Sequence, residues 1–148
     1  MPTNTGKIKI GLFGFGRTGA TVAHEMVDAK HSELVWVVRK SGAHAGEYAS
    51  RLHGFDHNEG LIHWVGDIDD AFFIQNPVDV IVDFSASETV HLYKSVANHG
   101  TRILSAVSNY EPNDLAALKK LARKTAILYS PNISIGVNLL LLTSLVVR

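Results

Sequence analysis

A chain of 148 residues, 46% of them hydrophobic, is long enough to form one globular domain with a sizeable core. Its 14 basic and 14 acidic residues balance and are scattered, which argues against a nucleic-acid partner because such binders concentrate basic residues on one face. The absence of cysteine excludes disulfides and thiol catalysis. No apolar signal core follows the first methionine, so we expect a cytoplasmic protein.

Short apolar runs alternate with segments of helical periodicity along the chain. The runs are too short for helices and predict buried strands at 8–13, 34–38, 80–84, 103–106 and 126–129. Apolar residues recur at helical spacing within 20–27, 90–97 and 115–122. Weaker signals between residues 40 and 70 suggest a short helix at 47–52 and a short strand at 61–65. This alternation predicts an α/β fold, a Rossmann-type doubly wound parallel sheet with helices on both faces.

Polar residues mark the predicted helix boundaries. Ser85 and Glu88 have the spacing of a capping box, and Asn113 or Asp114 can cap the helix that follows. Gly100 stands where a helix would end.

Three glycines, Gly14, Gly16 and Gly19, join the first predicted strand to the first predicted helix. The GxGxxG spacing in this context is the dinucleotide-binding fingerprint. Gly14 permits the sharp turn, Gly16 leaves room for a pyrophosphate, and Gly19 allows the helix to pack closely. The free N–H groups of the helix N-terminus favour phosphate, so we expect a pyrophosphate site; a plain tight turn is the alternative.

Arg39 and Lys40 follow the second predicted strand, where NAD-binding proteins place a carboxylate for the adenine ribose. An arginine fork suits a 2′-phosphate, and a lysine adds a point charge. The sequence therefore predicts a preference for NADP(H), with NAD(H) as the alternative cofactor. The competing interpretation is that two basic residues simply begin a solvated loop.

The later strand ends carry small or polar residues, including Ser85, Ser108 and Asn132. Ligands bind at the carboxyl ends of strands in an open α/β sheet, so these residues are expected to line one crevice. Helix capping and turn formation are the alternative explanation, above all for Ser85.

The histidines show no catalytic pattern. His53 and His57 lie four residues apart and would suit a metal only on a regular helix, which Gly54 between them disfavours. We therefore predict no metal site and no catalytic residue in this chain.

The stretch 137–147 is almost wholly apolar yet too short to span a bilayer, so we expect no membrane anchor. A helix apolar on every face is buried in a larger assembly. This segment predicts either a piece of a longer protein or a homo-oligomer that forms through it.

The turn "GFGRTG", the strand end "DFS" and above all "SPNISIGVNLL" resemble the N-terminal cofactor-binding domain of dihydrodipicolinate reductase, over essentially the whole chain. The resemblance implies that residues 1–148 form a dinucleotide-binding domain of a lysine and diaminopimelate pathway enzyme. That enzyme transfers hydride from NADPH or NADH to a cyclic imine dicarboxylate. It also implies that the substrate-binding domain, with the catalytic residues, lies outside this chain, which is then inactive alone.

The resemblance assigns residues to three parts of the cofactor. Phe15, Arg17 and Thr18 join the glycine turn around the pyrophosphate, and Arg39 and Lys40 face the adenine ribose. Phe84 and Ser85 match the family's Asp-Phe-Thr segment, and its Ala-Asn-Phe segment near the nicotinamide is matched by Pro131, Asn132 and Ile133.

One turn departs from the family pattern. Ala106, Val107, Ser108 and Asn109 replace its Gly-Thr-Thr-Gly turn, so only the hydroxyl of Ser108 survives there. Two alternatives stay open: a non-catalytic NADP(H)-binding sensor or regulatory module, and the cofactor domain of another Rossmann dehydrogenase.

Overall fold

The computed structural model describes residues 6–132, which form a six-stranded parallel sheet flanked by helices. Neighbouring strands follow the order β3-β2-β1-β4-β5-β6. The strand bounds are β1 (Ile8–Phe13), β2 (Ser32–Arg39), β3 (Leu61–Trp64), β4 (Val80–Asp83), β5 (Arg102–Ser105) and β6 (Ile127–Tyr129). The predicted Rossmann-type parallel sheet is confirmed, because each predicted apolar run became a strand.

The helices lie between the strands as the alternating pattern requires. Their bounds are α1 (Arg17–Asp28), α2 (Ala49–Leu52), α3 (Asp70–Gln75) and α4 (Pro112–Leu121). Short 3₁₀ helices occur at Val65–Asp67, Ser87–His91 and Val96–His99. The sequence did not predict α3, whose start is capped by Asp69, an acceptor for the Phe72 N–H at 2.9 Å.

Two apolar clusters cover the two faces of the sheet. On the face covered by α1 and α2, the buried apolar residues include Leu12, Ala23, Val27, Leu34, Val37, Ala49, Ile62 and Val82. On the face covered by α3, α4 and the 3₁₀ helices, the buried apolar residues include Phe13, Trp36, Phe72, Ile81, Tyr93, Ile103 and Leu118. Helices therefore pack on both faces, as the sequence predicted.

A β-bulge interrupts the pairing of β1 with β2. Ile10 pairs with Leu34 but Gly11 pairs with Trp36, so Val35 is the extra residue. An ideal Cβ on Gly11 would lie 2.1 Å from the Trp36 ring, so that ring occupies the space where a side chain would stand. The Trp36 indole N–H donates to the Asn76 carbonyl at 3.0 Å, and this hydrogen bond fixes the orientation of the ring.

The predicted helix across 90–97 is wrong. The 3₁₀ helices Ser87–His91 and Val96–His99 occupy this region, separated by turns. Val90, Tyr93 and Val96 are three residues apart, and this spacing fits three residues per turn as well as it fits an α-helix. All three are buried, so the apolar pattern is satisfied without a continuous helix. Gly100 does end the second 3₁₀ helix, with φ of +78°.

The two predicted helix caps are also wrong. The N-cap of the 3₁₀ helix is Ala86, whereas the Ser85 hydroxyl lies 2.5 Å from an Asp83 carboxyl oxygen. The N-cap of α4 is Glu111, and Pro112 begins that helix, as suits a residue without an N–H.

Asp114 instead joins two elements. It accepts from the Ser87 hydroxyl at 2.5 Å, and its other oxygen lies 2.7 Å from the His91 ring nitrogen. The Glu111 N–H donates to the Ser87 hydroxyl at 2.8 Å. These contacts fasten the start of α4 to the 3₁₀ helix Ser87–His91.

Two predictions lie outside the described residues: the apolar helix at 137–147 and the assignment of Ile133 to the nicotinamide end. Within residues 6–132, no helix is long and apolar enough to cross a membrane.

Candidate functional site

The glycine turn is wedged between two strands at the carboxyl edge of the sheet. Gly14 has φ of +94°, a conformation that side chains rarely adopt, and its N–H donates to the Val38 carbonyl at 2.9 Å. A Cβ on Gly14 would lie 2.7 Å from the Phe84 carbonyl oxygen. Both the turn and the close packing therefore require glycine at this position.

Gly16 and Gly19 differ in what surrounds them. A Cβ on Gly19 would lie 2.0 Å from the Gly14 carbonyl oxygen, so α1 packs against the turn only because Gly19 lacks a side chain. A Cβ on Gly16 would meet nothing within 4 Å. Gly16 is the N-cap of the 12-residue α1 and makes no side-chain cap. Open space thus faces the free N–H groups and partial positive charge of a helix N-terminus, an arrangement that fits a pyrophosphate.

A cavity of about 750 Å³ opens beside this turn, at the carboxyl ends of β1, β2 and β4. Its size suits a small-molecule ligand. Predicted cofactor residues on its wall are Gly14, Phe15, Gly16, Arg39, Lys40, Phe84 and Ser85. The wall also contains residues that the sequence did not single out for the cofactor: Phe13, Val38, Ser41, Val65, Ala86, Glu88, Thr89 and Leu92.

The other predicted cofactor residues lie outside this wall. Arg17, Thr18 and Gly19 form the first turn of α1 beside it, with Arg17 and Thr18 exposed. The remaining four predicted residues follow β5 and β6: Ala106, Ser108, Pro131 and Asn132.

The residues after β5 form a turn anchored on its neighbours. The Ala106 N–H donates to the Asp83 carbonyl at 2.8 Å, which holds the turn against the end of β4. Val107 is buried in the core, whereas Ser108 is exposed. The Tyr110 hydroxyl lies 2.6 Å from the Ser105 hydroxyl, so the base of the turn is polar and buried.

Two cations lie at the end of β2. The Arg39 guanidinium donates to the Ala43 carbonyl at 3.4 Å, and the Lys40 ammonium lies 3.4 Å from a Glu88 carboxyl oxygen. Both contacts are long and exposed, so either cation can exchange its partner for an anion in the cavity. A phosphate is one of the anions, with carboxylate, that an arginine fork can bind through two hydrogen bonds.

A buried carboxyl that the sequence analysis missed supports the cavity rim. Asp83, fully buried at the end of β4, accepts from the Ser85 N–H at 2.9 Å, the Ser85 hydroxyl at 2.5 Å and the Tyr93 hydroxyl at 2.8 Å. Burial raises the pKa of Asp83, against the opposing effect of these hydrogen bonds. Asp83 therefore fixes the orientation of Ser85. The signal was the acid that ends the apolar run "VIVD".

His53 and His57, the pair whose spacing was considered for a metal, have different surroundings. Helix α2 ends at Leu52 and Gly54 has φ of +84°, so His53 and His57 do not share a helix face. His53 packs its ring 5.8 Å from that of Phe15, behind the glycine turn, and burial lowers its pKa. The His57 ring nitrogen lies 3.1 Å from a Glu59 carboxyl oxygen. Among the described residues, no group of three ligating side chains could hold a metal ion.

Comparison with known proteins shows that the chain is similar to one enzyme family. The family model described as "Dihydrodipicolinate reductase, N-terminus" matches residues 8–133. The 4-hydroxy-tetrahydrodipicolinate reductase of Wolbachia sp. subsp. Brugia malayi is 31% identical over 140 residues, which cover 91% of this chain and 50% of that enzyme.

Solved structures share the fold at low identity. Dipicolinate-bound dihydrodipicolinate reductase from Paenisporosarcina sp. TG-14 matches with a TM-score of 0.63 at 18% identity, over 88% of this chain and 49% of that one. The scyllo-inositol dehydrogenase of Lactobacillus casei with bound NAD(H) matches with a TM-score of 0.57 at 22% identity, over 82% and 36%. The chain spans about half the length of the reductases that it matches.

Proposed function

The chain belongs to the N-terminal domain family of dihydrodipicolinate reductase, and from this membership we propose that it binds NADPH as the cofactor-binding part of a reductase. The observation that carries the proposal is the open space over Gly16, which faces the N-terminus of α1 between two glycines that the fold requires. When bound, the cofactor would supply a hydride to a cyclic imine dicarboxylate.

The pyrophosphate would lie on the glycine turn. Its oxygens would accept hydrogen bonds from the N–H groups at the start of α1, where Arg17 and Thr18 follow Gly16. Phe15 and Phe84 contribute apolar surface to the cavity wall, next to Gly14. This turn binds and orients the cofactor without taking part in proton or hydride transfer.

The adenine ribose would lie beside Arg39 and Lys40. The Arg39 guanidinium can bind two oxygens of a 2′-phosphate, and Lys40 adds a second positive charge. We therefore propose that NADP(H) is the preferred cofactor and that NAD(H) binds more weakly.

The nicotinamide would extend toward the ends of β4, β5 and β6. Ser85, held by Asp83, offers a hydroxyl at the cavity rim. The residues proposed to complete this end are Ala106, Ser108, Pro131 and Asn132.

We also propose that reduction needs a substrate-binding domain in addition to this cofactor-binding domain, because the chain spans about half the length of its relatives. The chain alone is then expected to bind the cofactor without oxidising it in the presence of substrate. The cytoplasmic location and a homo-oligomer formed through 137–147 remain part of this proposal.

A titration of the chain with NADPH and with NADH, followed by cofactor fluorescence, tests the proposed site. We expect tighter binding of NADPH, and we expect Arg39→Asp to weaken NADPH by about tenfold or more while NADH changes little. Arg102→Asp is the matched control, because Arg102 is exposed at the opposite end of the sheet, where β5 begins. Equal affinity for the two cofactors, or an equal loss of both in Arg39→Asp, would contradict the proposed preference.

A further inference from the structure

An ion pair joins the two walls of the cavity near the proposed adenine ribose. Lys40 directly follows β2, and Glu88 lies in the 3₁₀ helix Ser87–His91 beyond β4. The Lys40 ammonium lies 3.4 Å from a Glu88 carboxyl oxygen, and both residues line the cavity. The pair therefore brings an acidic group next to Lys40, one of the two cations that the proposed function assigns to a 2′-phosphate.

This pair is weak enough to be exchanged when a ligand binds. The side chains of Lys40 and Glu88 are 85% and 63% exposed, and exposed ion pairs contribute between nothing and about 1 kcal/mol. The backbone N–H of Glu88 itself and the Lys40 ammonium both lower the pKa of the Glu88 carboxyl, so Glu88 is ionised at neutral pH. A phosphate dianion near Lys40 would attract the lysine more strongly than Glu88 does and would repel Glu88.

Glu88 also has the carboxylate that is missing at the end of β2. NAD-binding Rossmann domains use a carboxylate to accept the adenine-ribose hydroxyls, and here Arg39 and Lys40 stand at that position. Among the described residues on the cavity wall, Glu88 is the one with a carboxyl group. A carboxylate supplied from the opposite wall can serve the same hydroxyls.

We propose that Glu88 determines how strongly the site distinguishes NADPH from NADH, by accepting the ribose hydroxyls of NADH and opposing the 2′-phosphate of NADPH. This rests on the proposed function, since it assumes that the adenine ribose lies beside Lys40. Lys40 stays paired with Glu88 when NADH binds and turns to the phosphate when NADPH binds. Arg39 thus favours NADPH, and Glu88 limits that preference.

The test compares Glu88→Gln with the wild-type chain in fluorescence titrations of both cofactors. We expect Glu88→Gln to bind NADPH about three- to tenfold more tightly, because it removes a negative charge beside the phosphate, and to bind NADH no more tightly than before. Glu25→Gln is the matched control, since Glu25 is an exposed acid on α1 outside the cavity wall. It should leave both dissociation constants unchanged.

A second comparison tests the exchange of partners. Lys40→Gln should weaken NADPH binding more in the Glu88→Gln background than in the wild type, because in the wild type Lys40 reaches the phosphate only by breaking its ion pair with Glu88. Cofactor binding with an unchanged NADPH-to-NADH ratio in Glu88→Gln, or additive effects of the two substitutions, would overturn this proposal alone. A wild-type chain that binds neither cofactor would overturn the proposed function as well.

Discussion

Gly16 and Gly19 lie three residues apart at the start of α1, yet a methyl group has opposite consequences at the two positions. At Gly16 it would point into open space, and the backbone there is extended, with φ of −82°. At Gly19 it would lie 2.0 Å from a backbone carbonyl oxygen that cannot move without disturbing the turn. The fold therefore requires the second glycine, whereas the proposed pyrophosphate requires the first.

We expect Gly16→Ala to keep the wild-type melting temperature and to lose NADPH affinity by about tenfold or more, because its methyl group would occupy the place of the pyrophosphate. Gly19→Ala should lower the free energy of unfolding by about 1–3 kcal/mol through overpacking. Thermal unfolding and NADPH titration of both variants check this pair. If Gly16→Ala bound NADPH as tightly as the wild type, the phosphate would have to lie elsewhere.

Asp83 provides a pH-dependent contribution to stability. Because burial raises its folded pKa above the unfolded value of 3.8, the folded state holds the proton more tightly. This contribution is full below the unfolded pKa and is lost as pH rises through the folded pKa. Relative to Asp83→Asn, which stays neutral, the wild-type free energy of unfolding should fall as pH rises above about 4. Urea denaturation of both proteins at several pH values measures the difference, and parallel curves would contradict the prediction.

The sequence predicted those residues of the cavity wall that belong to a contiguous motif. The glycines and the two cations of "VVRKS" have a fixed spacing from their strands, so a pattern can locate them. Asp83 could not be assigned a role in this way, because its partner Tyr93 is ten residues away and reaches it only in the folded chain. Glu88 fitted a capping box in sequence but faces Lys40 across the cavity, a contact between residues 48 positions apart.

At the scale of elements, Asp114 couples α4 to the 3₁₀ helix that carries Glu88. The Ser87 hydroxyl is the main cause of the lowered pKa of Asp114, followed by the hydrogen bond with His91. A carboxyl with a lowered folded pKa stabilises the fold above its unfolded pKa, and this contribution is lost as pH falls through the folded pKa. The link between the two elements thus depends on an ionised Asp114.

We expect Asp114→Ala to unfold at a lower urea concentration than the wild type at neutral pH, because Ser87 and His91 lose their shared partner. The gap should be constant above about pH 5 and should shrink as pH falls below about 4. Urea titrations from neutral to acidic pH follow it. A gap that keeps its size in acid would show that the loss comes from packing rather than from the ionised carboxyl.

The elements that could be predicted are those whose residues carry their own signal. The strands are buried aliphatic runs, and α1 shows a clear apolar stripe behind the glycine turn. The six-residue α3 is too short for periodicity to show, although Asp69 before Phe72 was a detectable cap. The predicted helix across 90–97 was wrong because a contact between distant residues matters there: the buried Tyr93 donates its hydroxyl hydrogen bond to Asp83.

At the scale of the molecule, the cavity lies between β1 and β4, where the strand order reverses. Its walls come from chain segments far apart in sequence, so the proposed cofactor would connect β2, the glycine turn and the region after β4. Its binding would therefore stabilise the whole domain by mass action rather than one loop.

NADPH at about one hundred times its dissociation constant should add about 2.7 kcal/mol to the free energy of unfolding, which corresponds to a rise in Tm of about 5–10 °C for a chain of this length. Differential scanning fluorimetry with and without NADPH measures it. Gly16→Ala at the same NADPH concentration should show a much smaller rise. A wild-type Tm that NADPH leaves unchanged would mean that the ligand does not engage the native fold.

The bulge between β1 and β2 has a consequence for the dimensions of the ligand. Sliding β2 by one residue would drive the Trp36 indole from the gap at Gly11 into a neighbouring side chain, and would exchange the residues that face the two buried sides of the sheet. Only one alignment of the two strands is therefore allowed. That alignment sets how far Arg39 lies from Gly14, and so the distance between the proposed phosphate and ribose contacts. A buried tryptophan outside the cavity wall therefore helps to set the distance between the two ends of the proposed dinucleotide site.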